Sequence, residues 1–250
     1  MKKSLVIALA TAMVVGGGSM VMANGLGAGI KGSPHDFSDN AAGGVAGSVD
    51  EVSATGWNGR KEICRVCHVP HDHGKDKYLN GLLWNHTVSS ASYTMYDNTW
   101  SSTLTHTQDS APTGNSKLCL GCHDGSVAID TFDKYAGGAQ QLGVAGNYDA
   151  GAKVPRFMDG ANLDLRGTHP LSITYAGDTV GEAGGLKADT TTWTGGQTIA
   201  STLQDGKVQC STCHDVHDSV GVAVASTHLL RAATTGAGTE SALCLTCHNK

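Results

Sequence analysis

The sequence predicts a fold that is mostly irregular coil, with short helices and few short strands, organised around something other than a side-chain core. Three observations carry this. Phe, Trp and Tyr make up only 5 % of the 250 residues, while 34 residues are Gly. Long apolar segments with a helical or strand period are missing. All eight Cys fall in four copies of one short pattern. A chain so poor in large apolar side chains cannot easily bury enough surface to offset its ordering entropy. Core-poor folds commonly use disulfides or metal centres as staples, and the cysteines indicate which.

The four copies are Cys64-Arg65-Val66-Cys67-His68, Cys119-Leu120-Gly121-Cys122-His123, Cys210-Ser211-Thr212-Cys213-His214 and Cys244-Leu245-Thr246-Cys247-His248. C-x-x-C-H is the haem c attachment signature. Two thiols one helical turn apart add to the two vinyl groups of a haem, and the adjacent imidazole reaches the iron as its proximal ligand. A disulfide framework and paired zinc knuckles are the competing readings, and neither requires His after every second Cys. His fills 12 of 250 positions, so four such coincidences would arise by chance on the order of once in 10⁵. The expectation is four haem c groups bound through Cys64, Cys67, Cys119, Cys122, Cys210, Cys213, Cys244 and Cys247. The proximal ligands would be His68, His123, His214 and His248. The coil is then expected to wrap around a stack of four c-type haems.

Eight other His remain: His35, His71, His73, His86, His106, His169, His217 and His228. Such an excess is the signature of bis-histidine irons, six-coordinate and without an open position. Met95 and Met158 suit packing gaps better than ligation. An internal repeat ranks the histidines. Pro34-His35 to Ser38, the first motif with His71, His86 and the second motif run in the same order as Thr168-His169 to Ser172, the third motif with His217, His228 and the fourth motif. His35 thus matches His169, His71 matches His217, and His86 loosely matches His228. His71 lies one helical turn beyond His68 and projects from the same side, so it would reach the haem of the other motif in its repeat; His217 would do likewise. The expected distal set is His35, His71, His169 and His217, with His86 as substitute. His73, His106 and His228 are expected to be exposed or local.

The elements follow in chain order. Lys2 and Lys3, the apolar run Leu5 to Val15 and the exit Val21-Met22-Ala23 read as a signal peptide over 1–23. The apolar run is too short to span a bilayer, so no transmembrane segment is expected. Cleavage would leave 227 residues with 15 basic and 22 acidic side chains, a formal balance of −7. Without a basic cluster, nucleic acid is not an expected partner. Residues 24–56 form a Gly-rich arm, 57–130 a first two-haem unit, 131–166 a linker or insert, and 167–250 a second two-haem unit. Short helices are expected at Leu118 to His123 and Ala242 to His248. Short strands are expected at Val127 to Ile129 and Leu171 to Tyr175, and a loop or short strand at Tyr93 to Leu104. His35, close to the expected mature N-terminus in an arm with little to hold it, is expected to be donated to a haem of a neighbouring subunit. The alternative is that the arm folds back onto its own chain.

The paired motifs, with the phrases around His35, Trp84 to His86, Leu118 to Asp130 and Thr168 to Tyr175, resemble the OmcE-type tetrahaem cytochromes of metal-respiring bacteria. The likeness runs from about Gly32 to the C-terminus. It implies secreted, extracellular subunits that associate head-to-tail into a conductive filament, take electrons from redox partner cytochromes and deliver them to extracellular acceptors. The alternatives are a monomeric periplasmic electron shuttle and, behind it, a multihaem reductase with an open haem.

Overall fold

The computed structural model describes residues 30, 35–37, 62–71, 82–127, 131–132, 134–135, 138–139, 163–177, 185–193, 195–217, 229–232 and 241–249. The expected signal peptide, most of the arm, His73 and His228 lie outside these residues. Most of the described chain is coil. Its regular elements are α1 (Gly114–His123), β1 (Lys134–Tyr135), β2 (Gly138–Ala139), β3 (Ile173–Thr174), α2 (Ile199–Thr202), β4 (Lys207–Val208), α3 (Cys210–Cys213) and α4 (Ala242–Cys247). None of these helices is long and apolar enough to cross a membrane.

The expected helices at the second and fourth motifs are α1 and α4. The strand expected within Leu171 to Tyr175 is β3, antiparallel to β4 with Ile173 opposite Val208 and Thr174 opposite Lys207. Val127 lies in a bend, and the rest of that expected strand is outside the described residues. Tyr93 to Leu104 is coil that touches the chain once as a strand would, in a bridge from Thr94 to Asp164. Strand β4 is entered through a tight turn in which Gln204 and Lys207 exchange backbone hydrogen bonds of 3.1 and 2.9 Å. Asp205 and Gly206 both have positive φ there, 51° and 69°. That is the Asp-Gly hairpin turn whose twist matches the flanking strands.

Two layers meet around α1. The stretch Thr107 to Asp109 lies along β3: Gln108 bridges Ile173, and the Asp109 N–H donates to Ser172 O at 3.0 Å. Helix α1 packs on α3. Cys210 N donates to Ser116 Oγ at 2.9 Å, and the Asn115 side-chain amide to Ser211 Oγ at 3.1 Å. Leu120 and Leu165 centre a small apolar cluster with Tyr93, Met95, Leu163 and Leu171. Twelve hydrophobic side chains are buried among the described residues, against eleven polar ones. Burial so evenly split supplies little hydrophobic drive, as the composition led one to expect.

Candidate haem-iron centres

Three attachment motifs are held by one recurring clamp. In each, the motif sits on a single helical turn that closes when the His N–H donates to the first Cys carbonyl: His68 to Cys64 at 2.8 Å, His214 to Cys210 at 3.0 Å, His248 to Cys244 at 2.9 Å. A passing strand then bridges the His: Trp84 for His68, Leu230 for His214, Leu186 for His248. The next residue on that strand grips the turn twice. Its N–H donates to the second Cys carbonyl, as Asn85, Arg231 and Lys187 do to Cys67, Cys213 and Cys247, each at 2.8 Å. Its side chain donates to the carbonyl of the residue after the first Cys: Asn85 to Arg65, Arg231 to Ser211 at 3.1 Å and Lys187 to Leu245 at 2.5 Å. A helix end leaves its last carbonyls unpaired, and the clamp satisfies two of them with one residue. The second motif instead ends the ten-residue helix α1, where Leu118, Leu120 and Gly121 are buried.

The clamp re-registers the internal repeat. Trp84 and Leu230 each stand sixteen residues beyond their motif His, and the preceding Leu83 and Leu229 both take the left-handed conformation, with φ of 51° and 60°. His86 therefore corresponds to Ala232, and the expected match with His228 is corrected.

Three imidazole pairs are assembled. His35 faces His123 at 6.2 Å between ring centres with the planes 69° apart. His217 faces His68 at 6.2 Å and 19°. His169 faces His248 at 6.3 Å and 59°. A metal–nitrogen bond of about 2 Å on each side, with roughly 1 Å from that nitrogen to the ring centre, puts two imidazoles trans on one metal about 6 Å apart. Distance alone does not single these pairs out, since His35 also meets Phe37 edge-on at 6.2 Å. What does is membership: each pair joins one motif His to one of the spare His. The tautomers agree. His68 Nδ1 lies 2.7 Å from Leu82 O and His169 Nδ1 3.0 Å from Pro170 O. A carbonyl only accepts, so Nδ1 carries the proton and Nε2 keeps its lone pair for a metal.

Several placements differ from expectation. His71 is exposed, so the turn beyond His68 carries it to the surface and not toward a second centre. His217 pairs with His68 across the repeats, not with a centre of its own repeat; its N–H is held by Asp215 Oδ1 at 3.1 Å. Within the single subunit, His35 faces His123 of its own chain, the placement expected of a folded-back arm. His86, the substitute, is 3 % exposed; its Nδ1 lies 2.8 Å from Thr87 O and its Nε2 3.6 Å from Cys122 Sγ. The third motif's His214 is outside these three ring pairs; it lies near enough to His35 to lower that imidazole's pKa. Burial comes first among the causes that bring His35 down to about 4, ahead of His123, His214 and His217.

Each motif neighbours the next in chain order. Cys122 lies close enough to Cys67 to disfavour its ionisation, Cys119 and Cys210 share a hydrogen bond, and Cys213 neighbours Cys247. Burial pushes the Cys67, Cys122 and Cys213 thiols up to about 12, which keeps them neutral. All eight Cys are free of disulfides. Among the described residues no three His, Cys, Asp or Glu converge to hold a bare metal ion. A haem needs no such cluster, because its macrocycle supplies the equatorial nitrogens and the protein only the axial pair. The residues present therefore fit haem. No protein-family model matches the chain, and no curated protein matches it either.

Proposed function

We propose that this chain is a secreted four-haem c-type cytochrome that transfers electrons along a row of bis-histidine irons. The observation that carries the reading is the set of three imidazole pairs, each joining a C-x-x-C-H histidine to a spare one at 6.2–6.3 Å. Haem, once bound, supplies the one-electron chemistry; the chain's own residues fix how it is held. The cysteines anchor the macrocycle edge, the clamps orient the proximal imidazoles, and the carbonyls of Leu82 and Pro170 orient two ring nitrogens toward the metal. With both axial positions filled, these irons have no room for a substrate, which favours a conduit over a reductase. The adjacency of successive motifs supports a continuous electron route through one subunit.

Polymerisation into an extracellular filament rests on the resemblance to OmcE-type cytochromes. His35 beside its own chain's His123 is compatible with the second reading, a monomeric shuttle, in which the arm supplies its ligand within the subunit. Haem quantification and carbon monoxide binding on the reduced, exported protein test the core reading. Four haems per chain without carbon monoxide adducts are expected. An adduct would reveal an open iron and favour the reductase. Electron microscopy of secreted material separates filament from shuttle.

A further inference from the structure

We propose that single charges built beside the motifs set the order in which the four irons accept electrons, with the iron of the fourth motif first, that of the second motif last and the other two between. This rests on reading the motifs as haem sites. Each electron, supplied by a one-electron reductant in solution, converts one ferric iron to ferrous and lowers the site's charge by one; no bond forms or breaks. A fixed cation nearby favours that step and a fixed anion opposes it.

The charges differ because the clamp and the position after the motif His are filled differently. At the fourth motif the clamp residue is Lys187, whose ammonium lies 2.5 Å from Leu245 O inside the motif turn, and His248 is followed by neutral Asn249. The site gains one positive charge. At the third motif the clamp residue is Arg231, but His214 is followed by Asp215, whose carboxylate lies 3.6 Å from the guanidinium; the two cancel. At the first motif the clamp residue is neutral Asn85 and His68 is followed by buried Val69. The Arg65–Glu62 pair there also cancels and is partly exposed. The second motif has no clamp cation among the described residues, and His123 is followed by Asp124, which is 0 % exposed. Its carboxylate is fixed by neutral donors: Tyr93 OH at 2.5 Å, Ser126 N at 2.7 Å and Ser126 Oγ at 2.9 Å. Lys117 on the same helix is exposed, so water and salt screen it. Asp124 is buried and escapes most of that screening, while the half-buried Lys187 is pinned by its hydrogen bond inside the motif turn; these two therefore decide the two ends of the order.

Lys187 and Asp124 are positioning residues, and the test reads potentials. The ring-plane angles label the irons. Near-parallel imidazoles split the two iron d orbitals of π symmetry toward the axial ligands (dxz and dyz) and give a rhombic low-spin resonance; planes far from parallel leave those orbitals close in energy and give a highly anisotropic one. The His68–His217 iron, at 19°, should be rhombic, while the second and fourth motifs, at 69° and 59°, should be highly anisotropic. In a redox titration of the holoprotein followed by electron paramagnetic resonance, one highly anisotropic signal should vanish first, the rhombic signal in the middle and another anisotropic signal last. K187Q should lower the first transition alone, K187R should leave it in place, and D124N should raise the last. A rhombic signal that vanishes first or last overturns the order, as does a K187Q variant that moves every transition equally or none. Should D124N lose haem, the Lys187 pair and the wild-type order still decide. Haem content is measured first: fewer than four haems per chain would overturn the cytochrome reading itself, whereas four haems with the wrong order overturn only this inference.

Discussion

The second attachment motif and the other three solve one problem by different means. The first, third and fourth motifs are single turns that cannot satisfy their own carbonyls, and each borrows a strand and a donor side chain to do so. The second ends a ten-residue helix closed by the Asp124 N–H donating to Leu120 O at 3.0 Å, with its buried face against α3 and Thr87. The difference teaches that the clamp is what a short motif turn needs, and that a motif on a longer, packed helix dispenses with it. It also sorts the motifs into a central one bound by packing and a peripheral one, α4, in which no residue is buried.

That contrast can be broken most sharply by deleting attachment cysteines. C119A/C122A should abolish folding or export, because on the four-haem reading it removes a haem anchored beside the small buried cluster around Leu120, in a chain too poor in large apolar side chains to replace it. C244A/C247A should leave a secreted three-haem protein of lower stability. Equal loss from both variants, read as exported haem protein, would erase the distinction between centre and edge.

Arg231→Ala should cost about 3 kcal/mol in chemical denaturation, since it strips a buried carboxylate, Asp215, of its cation. Asn85→Ala, at the same clamp position, removes a neutral donor and should cost on the order of 1 kcal/mol. Gly121→Ala tests the packed helix: a Cβ there would lie 2.8 Å from the Thr87 carbonyl oxygen. The clash should cost about 1–3 kcal/mol, whereas Thr246→Ala at the same place in the fourth motif should be milder.

The smallest effect lies where the stretch Thr107 to Asp109 meets β4, with Lys207 Nζ 2.7 Å from both Asp109 oxygens. Burial alone would raise the Asp109 carboxyl, but Lys207 and the Thr113 hydroxyl hold it below the usual carboxylate range. A depressed carboxyl stabilises the fold above its unfolded pKa and loses that contribution as the pH falls through its folded pKa. Both groups are about a quarter exposed, so D109N should cost only about 0.5 kcal/mol at neutral pH. The cost should shrink below roughly pH 4; thermal unfolding of variant and wild type across that range checks it.

Much of the local structure was legible. C-x-x-C-H located α1 and α4, the scarcity of apolar periods announced a coil, and the stretch of Leu171 to Tyr175 held β3. The clamp was not anticipated, although a signal exists in the equal sixteen-residue spacing from His68 to Trp84 and from His214 to Leu230. The clamp on the fourth motif carries no such signal, because Leu186 precedes His248 by 62 residues and only tertiary folding brings them together. The pairing of His217 with His68 was hidden for the same reason. Spacing of three residues says which side of a turn a ring leaves from; it does not say which distant ring waits there.

The central claim, that each of three irons sits between one motif histidine and one spare histidine, is tested most directly by the electron paramagnetic resonance spectrum of the oxidised holoprotein. Low-spin signals alone are expected, with a rhombic component from the near-parallel His68–His217 pair and highly anisotropic components from the His35–His123 and His169–His248 pairs. His217→Ala should remove the rhombic component and leave the other two. A substantial high-spin population in the intact protein, or a rhombic component that survives the loss of His217, would contradict the account.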